Sequence, residues 1–151
     1  MTVAPPATHI AITRSIPQAA LELLKKSLPQ ASISVNPHER NLSRDEILSL
    51  AGPSCDAIIC TLADPMDASL IESLPQNLKV IATYAVGVNN IALEAAKKRG
   101  IWVCNTPDVL TDATAEIAIG LMLACARRMV EVAGRLDDVQ TTTRSSLRPC
   151  R

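Results

Sequence analysis

A short turn at residues 84–87 is the best candidate in this sequence for binding an anion. Residues 79–83 are apolar and β-branched, as in a buried strand, and Tyr84-Ala-Val-Gly87 follows directly. Gly87 would let the backbone approach an anion closely, with successive N–H groups pointing into one concavity. An ordinary turn glycine is the alternative interpretation. A second loop, residues 105–111, is expected at the same edge of the sheet, where parallel sheets bind ligands.

Other polar groups fit structural roles better than catalytic ones. Asp64 and Asp67 form a close pair of carboxylates, but their positions favour a loop group and a helix cap over a general acid and base. His9 and His38 stand alone, so we predict no metal site, and no motif supports a Ser–His–Asp or Cys–His site. The hydroxyls of residues 111–114 suit the start of a helix, and capping alone would explain them.

The glycines argue against a dinucleotide-binding fingerprint. No two of the five have G-x-G spacing. We therefore expect no cofactor-binding Rossmann domain within these residues.

The elements that must position these groups alternate along the chain. Strands are predicted at residues 9–13, 32–35, 56–60, 79–83 and 101–104, the last two buried, and helices at 19–28, 44–50, 68–73, 91–99 and from 111 onward. Ser43 with Glu46 predicts a capping box, and Asp67 predicts the N-cap of the third helix. The alternation predicts an α/β fold: a flavodoxin-like parallel sheet with helices on both faces.

Response-regulator receivers and flavodoxins share this alternation, so their characteristic loops must separate them from this chain. Receivers need clustered acids after the first strand and an Asp ending the third, where this chain has Thr13-Arg14 and Cys60-Thr61. Flavodoxins need a phosphate-binding loop after the first strand, and Arg14-Ser-Ile-Pro17 cannot serve as one. Both alternatives are therefore disfavoured.

Composition excludes several classes of partner. The chain has 151 residues and a formal net charge of zero, so no overall field favours nucleic acid or an acidic membrane. Phe is absent, and Trp102 and Tyr84 are the only aromatic residues, which disfavours stacking on single-stranded nucleic acid. The five cysteines form no C-x-x-C pair and are expected to be buried, reduced thiols in a cytoplasmic protein.

Three segments together resemble a known enzyme family. They are Thr83-Tyr-Ala-Val-Gly-Val-Asn-Asn-Ile91, Ala95-Ala-Lys-Lys-Arg-Gly-Ile101 and Asn105-Thr-Pro-Asp-Val-Leu-Thr-Asp-Ala-Thr-Ala-Glu116. They look like the D-isomer-specific 2-hydroxyacid dehydrogenases, and the glyoxylate/hydroxypyruvate reductase branch matches best. The resemblance covers roughly residues 8 to 131. The chain departs from the usual pattern at Asn89 and Ala92, where the family more often has Asp.

The resemblance implies roles for four residues. The backbone of Val86 and Gly87 would bind the carboxylate of a 2-oxo or 2-hydroxy acid, and Leu62 would line the substrate pocket. Thr114 would contact a nicotinamide cofactor, NAD or NADP, across an interdomain cleft. The Arg, Glu and His that serve hydride transfer in the family have no counterpart here. We therefore expect no catalytic residues in this chain and no turnover by it alone.

The chain is expected to divide into four segments. These are a disordered lead-in without signal-peptide features at residues 1–7, a substrate-binding domain at 8–110, an interdomain and dimerisation helix at 111–134, and a disordered, non-native tail at 135–151. Residues 117–126 are uncharged, and a helix that is apolar all round is normally buried. They are too few to span a membrane.

Two functions remain open at this point. The first is the substrate-domain fragment of an NAD(P)-dependent 2-hydroxyacid dehydrogenase, paired with a second copy or a full-length subunit. The second is a non-catalytic module that binds a small carboxylate or pairs with a full-length subunit. Turnover with a nicotinamide cofactor distinguishes them.

Overall fold

Strands and helices alternate along the computed structural model, which describes residues 8–135. The elements are β1 (His9–Ile12), α1 (Gln18–Ser27), β2 (Ser32–Val35), α2 (Arg44–Ala51), β3 (Ala57–Cys60), α3 (Ala68–Ser73), β4 (Val80–Thr83), α4 (Leu93–Lys98), β5 (Trp102–Cys104) and α5 (Thr111–Ala126). A further helical stretch runs from residue 129 to residue 135. The predicted order of elements is confirmed, and most predicted boundaries are met within one or two residues.

The five strands form one parallel sheet in the order β2-β1-β3-β4-β5. In register, Ile10 pairs with Ile33 on one side and with Ala57 on the other. Because parallel crossovers are right-handed, the reversal at β1 places α1 on one face and α2, α3 and α4 on the opposite face. This arrangement confirms the predicted flavodoxin-like α/β sheet with helices on both faces.

The hydrophobic core lies on the face covered by α2, α3 and α4. Alternate strand residues point into it, so Ala11, Ile58 and Ile81 are buried together with Ile47 of α2 and Ile71 of α3. Aliphatic side chains, Met66 and two cysteines build this core, as expected for a chain without Phe. On the other face, α1 buries none of its residues.

Local hydrogen bonds begin the helices where the sequence predicted. The Ser43 hydroxyl accepts from the Glu46 N–H, and the Glu46 carboxylate accepts from the Ser43 N–H at 2.8 Å, so the capping box is confirmed. The Arg40 guanidinium donates to Glu46 and holds the pKa of that carboxyl well below its usual range. Asp67 caps α3 by accepting from the Leu70 N–H at 2.7 Å.

The fifth strand is less buried than its apolar sequence predicted. β5 is an edge strand, and its Trp102 side chain is 75% exposed. The prediction of buried thiols also holds only in part: Cys55 and Cys60 are buried, whereas Cys104 and Cys125 are exposed. Periodicity could not show this, because an apolar strand looks the same in the middle of a sheet and at its edge.

Residues 109–135 belong to a second compact unit. Its α5 ends at Ala126, and Arg128 then adopts a left-handed backbone with φ of 54° before the helical stretch 129–135. The predicted continuous helix over 111–134 is therefore interrupted, because a left-handed residue cannot continue a right-handed helix. The lead-in at 1–7 and the predicted tail beyond residue 135 lie outside the described residues.

α5 buries none of its residues, although its sequence predicted burial on all sides. Its large apolar side chains are 54–66% exposed: Ile117, Ile119, Leu121, Met122 and Leu123. Among residues 8–135, no helix combines the length and the apolar character needed to cross a membrane.

We predict that the chain self-associates through α5. Burying each of these five side chains contributes about 1.5–3 kcal/mol. Their sum strongly favours association with a surface that covers them. Sedimentation velocity at micromolar concentration should show dimers or larger species, and Ile117→Glu with Leu121→Glu should shift the protein to monomer. Leu23→Glu, on an equally exposed side chain of α1, is the matched control and should change nothing. A folded wild-type monomer would contradict the prediction.

Candidate functional site

Two loops meet at the carboxyl edge of the sheet. One follows β3 at residues 61–66, and the other follows β4 at residues 84–90. The Met66 N–H donates to the Asn90 carbonyl at 2.9 Å, and the Ala92 N–H donates to the Met66 carbonyl at 2.8 Å, forming a parallel bridge between Met66 and Ile91. The loop that carries Leu62 and the loop that carries Gly87 are thus bonded to each other.

A buried carboxylate joins the first of these loops to β1. Asp64 is 1% exposed, and its Oδ2 accepts hydrogen bonds from the Thr13 hydroxyl at 2.7 Å, the Thr61 N–H at 2.8 Å and the Thr61 hydroxyl at 3.0 Å. A buried carboxylate is costly unless its oxygens are hydrogen-bonded, and these three donors provide that compensation. Asp64 therefore fixes the loop after β3 against the end of β1, as the sequence-based interpretation of a loop group proposed.

The Asn90 side chain fixes the second loop to the first. Its Nδ2 donates to the Thr61 carbonyl at 3.0 Å and to the Asp64 carbonyl at 2.9 Å. These bonds span 29 and 26 residues of sequence, so they hold together segments that the chain alone would leave apart. Asn90 and Asp64 together give the site a rigid base.

Two carbonyls of the turn at Val86 and Gly87, those of Ala85 and Val86, are occupied by hydrogen-bond donors. The Asn105 side chain donates to the Val86 carbonyl at 2.7 Å, and the Thr106 N–H donates to the Ala85 carbonyl at 2.9 Å. Within residues 8–135, the N–H groups of Val86 and Gly87 have no acceptor. Occupied carbonyls beside free N–H donors form the kind of backbone concavity that binds anions.

A left-handed backbone does not explain the glycine at position 87, because only Gly52 and Gly100 among the glycines have positive φ. A Cβ built at Gly87 would lie 3.8 Å from Leu62 Cδ2, an ordinary van der Waals contact. The Gly87 position therefore lies against Leu62, and glycine leaves this side of the turn without a side chain. The structure brings together Leu62, Val86 and Gly87, the three residues predicted to bind substrate.

A cavity of about 390 Å³ opens beside this turn. It is lined by Arg14, Ser15, Thr61, Leu62, Ala63 and Tyr84. Leu62 lines this cavity and also lies beside Gly87, so the cavity and the turn share one side chain. The lining combines an apolar wall with one cationic side chain.

Thr114 lies in the first turn of α5, within the second compact unit. Its N–H donates to the Leu110 carbonyl at 2.9 Å, so only its hydroxyl remains for a ligand. The prediction that residues 111–114 cap the helix is wrong. Leu110 occupies the N-cap position, and no side chain makes a capping hydrogen bond there.

The described residues offer no acid–base pair or metal centre at this edge, and the Cys60 thiol is buried. Asp64 already accepts hydrogen bonds from three donors, and Asp67 is an exposed helix cap. Burial, with a further contribution from the Asp64 charge, raises the pKa of the Cys60 thiol to about 12, so it is protonated at neutral pH. No group of three potential ligands that could hold a metal ion occurs within residues 8–135.

Sequence reasoning missed Thr13, Asn90 and Asn105, whose side chains position the site. The only available signal was their location: Thr13 and Asn105 lie at or just beyond the carboxyl end of a predicted strand, and Asn90 immediately precedes a predicted helix. Which of them bond to which loop depends on strand order, because the partners are far apart in the sequence.

Comparison with known proteins identifies the family. The sequence model of the D-isomer specific 2-hydroxyacid dehydrogenase catalytic domain matches residues 10–148. The chain belongs to this family. The resemblance noted in the sequence is therefore confirmed, and the five-stranded parallel sheet is the fold of a member of it.

Its relatives include glyoxylate reductases. The chain is 43% identical to the Thermococcus kodakarensis glyoxylate reductase over 120 residues, and 45% identical to that of Thermofilum pendens over 123 residues; each alignment covers 80% of this chain and 34% of the relative. The structure of the Thermus thermophilus TT0316 protein superposes with a TM-score of 0.71 at 37% identity, covering 87% of this chain and 40% of that one. This chain thus spans about a third of the length of the curated relatives it matches.

We predict that Asp64→Ala destabilises the domain by about 2–4 kcal/mol, because it leaves three donors at a buried position without their acceptor. Urea denaturation followed by circular dichroism measures the loss. Asp64→Asn keeps one acceptor oxygen and should lose less. Asp67→Ala, which removes an exposed carboxylate three residues along the chain, is the control and should lose less than Asp64→Ala. Equal losses for Asp64→Ala and Asp67→Ala would show that the buried network does not hold the loops.

Proposed function

We propose that this domain binds the carboxylate of a small 2-oxo or 2-hydroxy acid on the backbone of Val86 and Gly87, with Leu62 as the adjacent apolar wall. The observation that carries the proposal is the turn itself, whose two N–H groups lack acceptors while the neighbouring carbonyls are occupied. Two adjacent donors match the two oxygens of a carboxylate, and such backbone concavities favour anions.

The surroundings support a small organic acid rather than an inorganic ion. Leu62 stands 3.8 Å from the position of a Cβ on Gly87, so a ligand on the N–H groups would contact apolar surface on one side. The adjoining cavity gives room for the rest of the molecule. A carboxylate attached to a short carbon chain satisfies both features, since its charged end meets donors and its chain meets Leu62.

The reaction we propose for the whole enzyme is the NADH- or NADPH-dependent reduction of a 2-oxo acid such as glyoxylate or hydroxypyruvate. Family membership and the glyoxylate reductases among the relatives support it. When bound, the nicotinamide supplies the hydride. This chain would contribute the substrate carboxylate site and, through the Thr114 hydroxyl, one contact to the cofactor; none of its described residues moves a proton. We place the protein in the cytoplasm.

A non-catalytic role is the second candidate, and the exposed apolar side chains of α5 favour it. In this role, the chain pairs with a second copy or with a full-length subunit, while the carboxylate site remains available. The carboxylate site is common to both candidates, and only turnover separates them.

We predict that oxamate, an unreactive analogue of a 2-oxo acid, binds the chain and shifts the amide resonances of Val86, Gly87 and Leu62 in ¹H–¹⁵N correlation spectra. Gly87→Ala should weaken binding about tenfold, because a methyl group obstructs the approach to the N–H groups and lowers the affinity by about 1.4 kcal/mol. The fold should be unchanged, since Gly87 has no positive φ. Gly120→Ala, a glycine-to-alanine change with open space around it, is the matched control. Oxamate shifts that avoid residues 84–88 would refute the assigned site.

The 151 residues alone should not oxidise NADH or NADPH in the presence of glyoxylate or hydroxypyruvate. No counterpart of the family's Arg, Glu and His occurs in the sequence, and general acid catalysis and oxyanion stabilisation supply much of an enzyme's rate. Absorbance at the nicotinamide wavelength, with rigorously purified protein, checks this. Steady oxidation above the blank would contradict the expectation and exclude the non-catalytic candidate.

A further inference from the structure

The cavity beside Leu62 contains a cation that the binding of a 2-oxo carboxylate at Gly87 does not require. Among the described residues that line it, Arg14 is the only charged one. The others are three residues that carry hydroxyls, Ser15, Thr61 and Tyr84, and two aliphatic residues, Leu62 and Ala63. A cavity of about 390 Å³ with one charge at its wall is built for something larger than the two carbons of glyoxylate.

The Arg14 guanidinium is oriented but not neutralised. Its Nη1 donates to the Asn41 side-chain oxygen at 3.0 Å, and Asn41 carries no charge. The ion pairs within residues 8–135 do not include Arg14. A guanidinium has five N–H donors in a planar fork, so most remain available after the bond to Asn41, and they suit the paired oxygens of a carboxylate.

Asp64 carries the negative charge at this edge of the sheet, but it does not neutralise Arg14. Asp64 is 1% exposed, and the Oδ2 atom is directed at Thr13 and Thr61 by three hydrogen bonds. The negative charge of Asp64 weakens the attraction of an anion to Arg14. Asp64 nevertheless forms no ion pair with Arg14. Arg14 thus lines the cavity, and its guanidinium keeps donors that no acidic side chain of residues 8–135 occupies.

We propose that Arg14 is a specificity-determining residue that selects 2-oxo acids carrying a second carboxylate at the end distal to the first. This inference rests on the proposed function, because it takes the 2-oxo carboxylate to lie on Val86 and Gly87. The substrate chain then extends past Leu62 into the cavity, and its distal carboxylate pairs with Arg14. The turn supplies affinity common to all 2-oxo acids, and Arg14 supplies the preference among them.

Two five-carbon ligands test the preference with the full chain. 2-Oxoglutarate ends in a carboxylate, and 2-oxopentanoate has a methyl group in its place, while the 2-oxo acid end is the same. Dissociation constants from ¹H–¹⁵N titrations should favour 2-oxoglutarate by about fivefold at low salt, the scale of a solvent-accessible ion pair. The preference should shrink in 0.5 M NaCl, because salt screens exposed charges.

Variants of Arg14 separate its role from that of the turn. Arg14→Gln should abolish the preference and leave the affinity for 2-oxopentanoate unchanged, and Arg14→Lys should retain part of it. Lys25→Gln, an equal loss of charge on the exposed surface of α1, should keep the wild-type preference.

The outcomes distinguish this inference from the proposed function. Equal affinity of the wild type for both ligands, or an equal loss of both in Arg14→Gln, overturns the role of Arg14 and leaves the carboxylate site intact. Absence of binding by both ligands overturns the carboxylate site and the inference together. A preference that survives in Arg14→Gln would likewise overturn the inference.

Discussion

The buried carboxylate of Asp64 is the interaction on which the rest of this site depends. Its Oδ2 collects three hydrogen bonds from the ends of β1 and β3, strands that are neighbours in the sheet but distant in the sequence. Because an unpaired buried charge is costly, the loop after β3 has few alternatives to the conformation that satisfies it. Leu62 lies within that loop, so the position of the apolar wall follows from the need to satisfy Asp64.

Hydrogen bonds to the loop after β3 fix the position of the loop after β4. Asn90 bonds to the carbonyls of Thr61 and Asp64, and the bridge between Met66 and Ile91 adds two backbone hydrogen bonds. Asn105 and Thr106 then occupy the carbonyls of the turn from the far side. The Ala85 and Val86 carbonyls are occupied while the N–H groups of Val86 and Gly87 have no acceptor within residues 8–135, and such a polarity suits a carboxylate ligand. The proposed binding surface is thus a backbone turn held by a network of polar hydrogen bonds.

The two compact units have opposite character. Up to Asp108 the chain has a closed aliphatic core and polar loops, whereas α5 exposes nearly every large side chain it has. Exposed apolar surface of this extent commonly marks an interaction site. The family match runs through the residues of this helix to residue 148, so the family's sequence model includes them. The proposed carboxylate site and the proposed pairing surface therefore lie in different parts of the chain.

The sequence by itself determined the order of elements, the parallel α/β fold, the capping box of α2, the N-cap of α3, and the family. These depend on residues within one or two turns of each other, or on dense local motifs. Only the tertiary structure decided that Trp102 lies on an edge strand, that α5 begins without a side-chain cap and breaks at Arg128, and that Thr13, Asn90 and Asn105 position the site. The bond from Thr13 to Asp64 spans 51 residues. No local pattern encodes such a contact, because strand order brings the two side chains together.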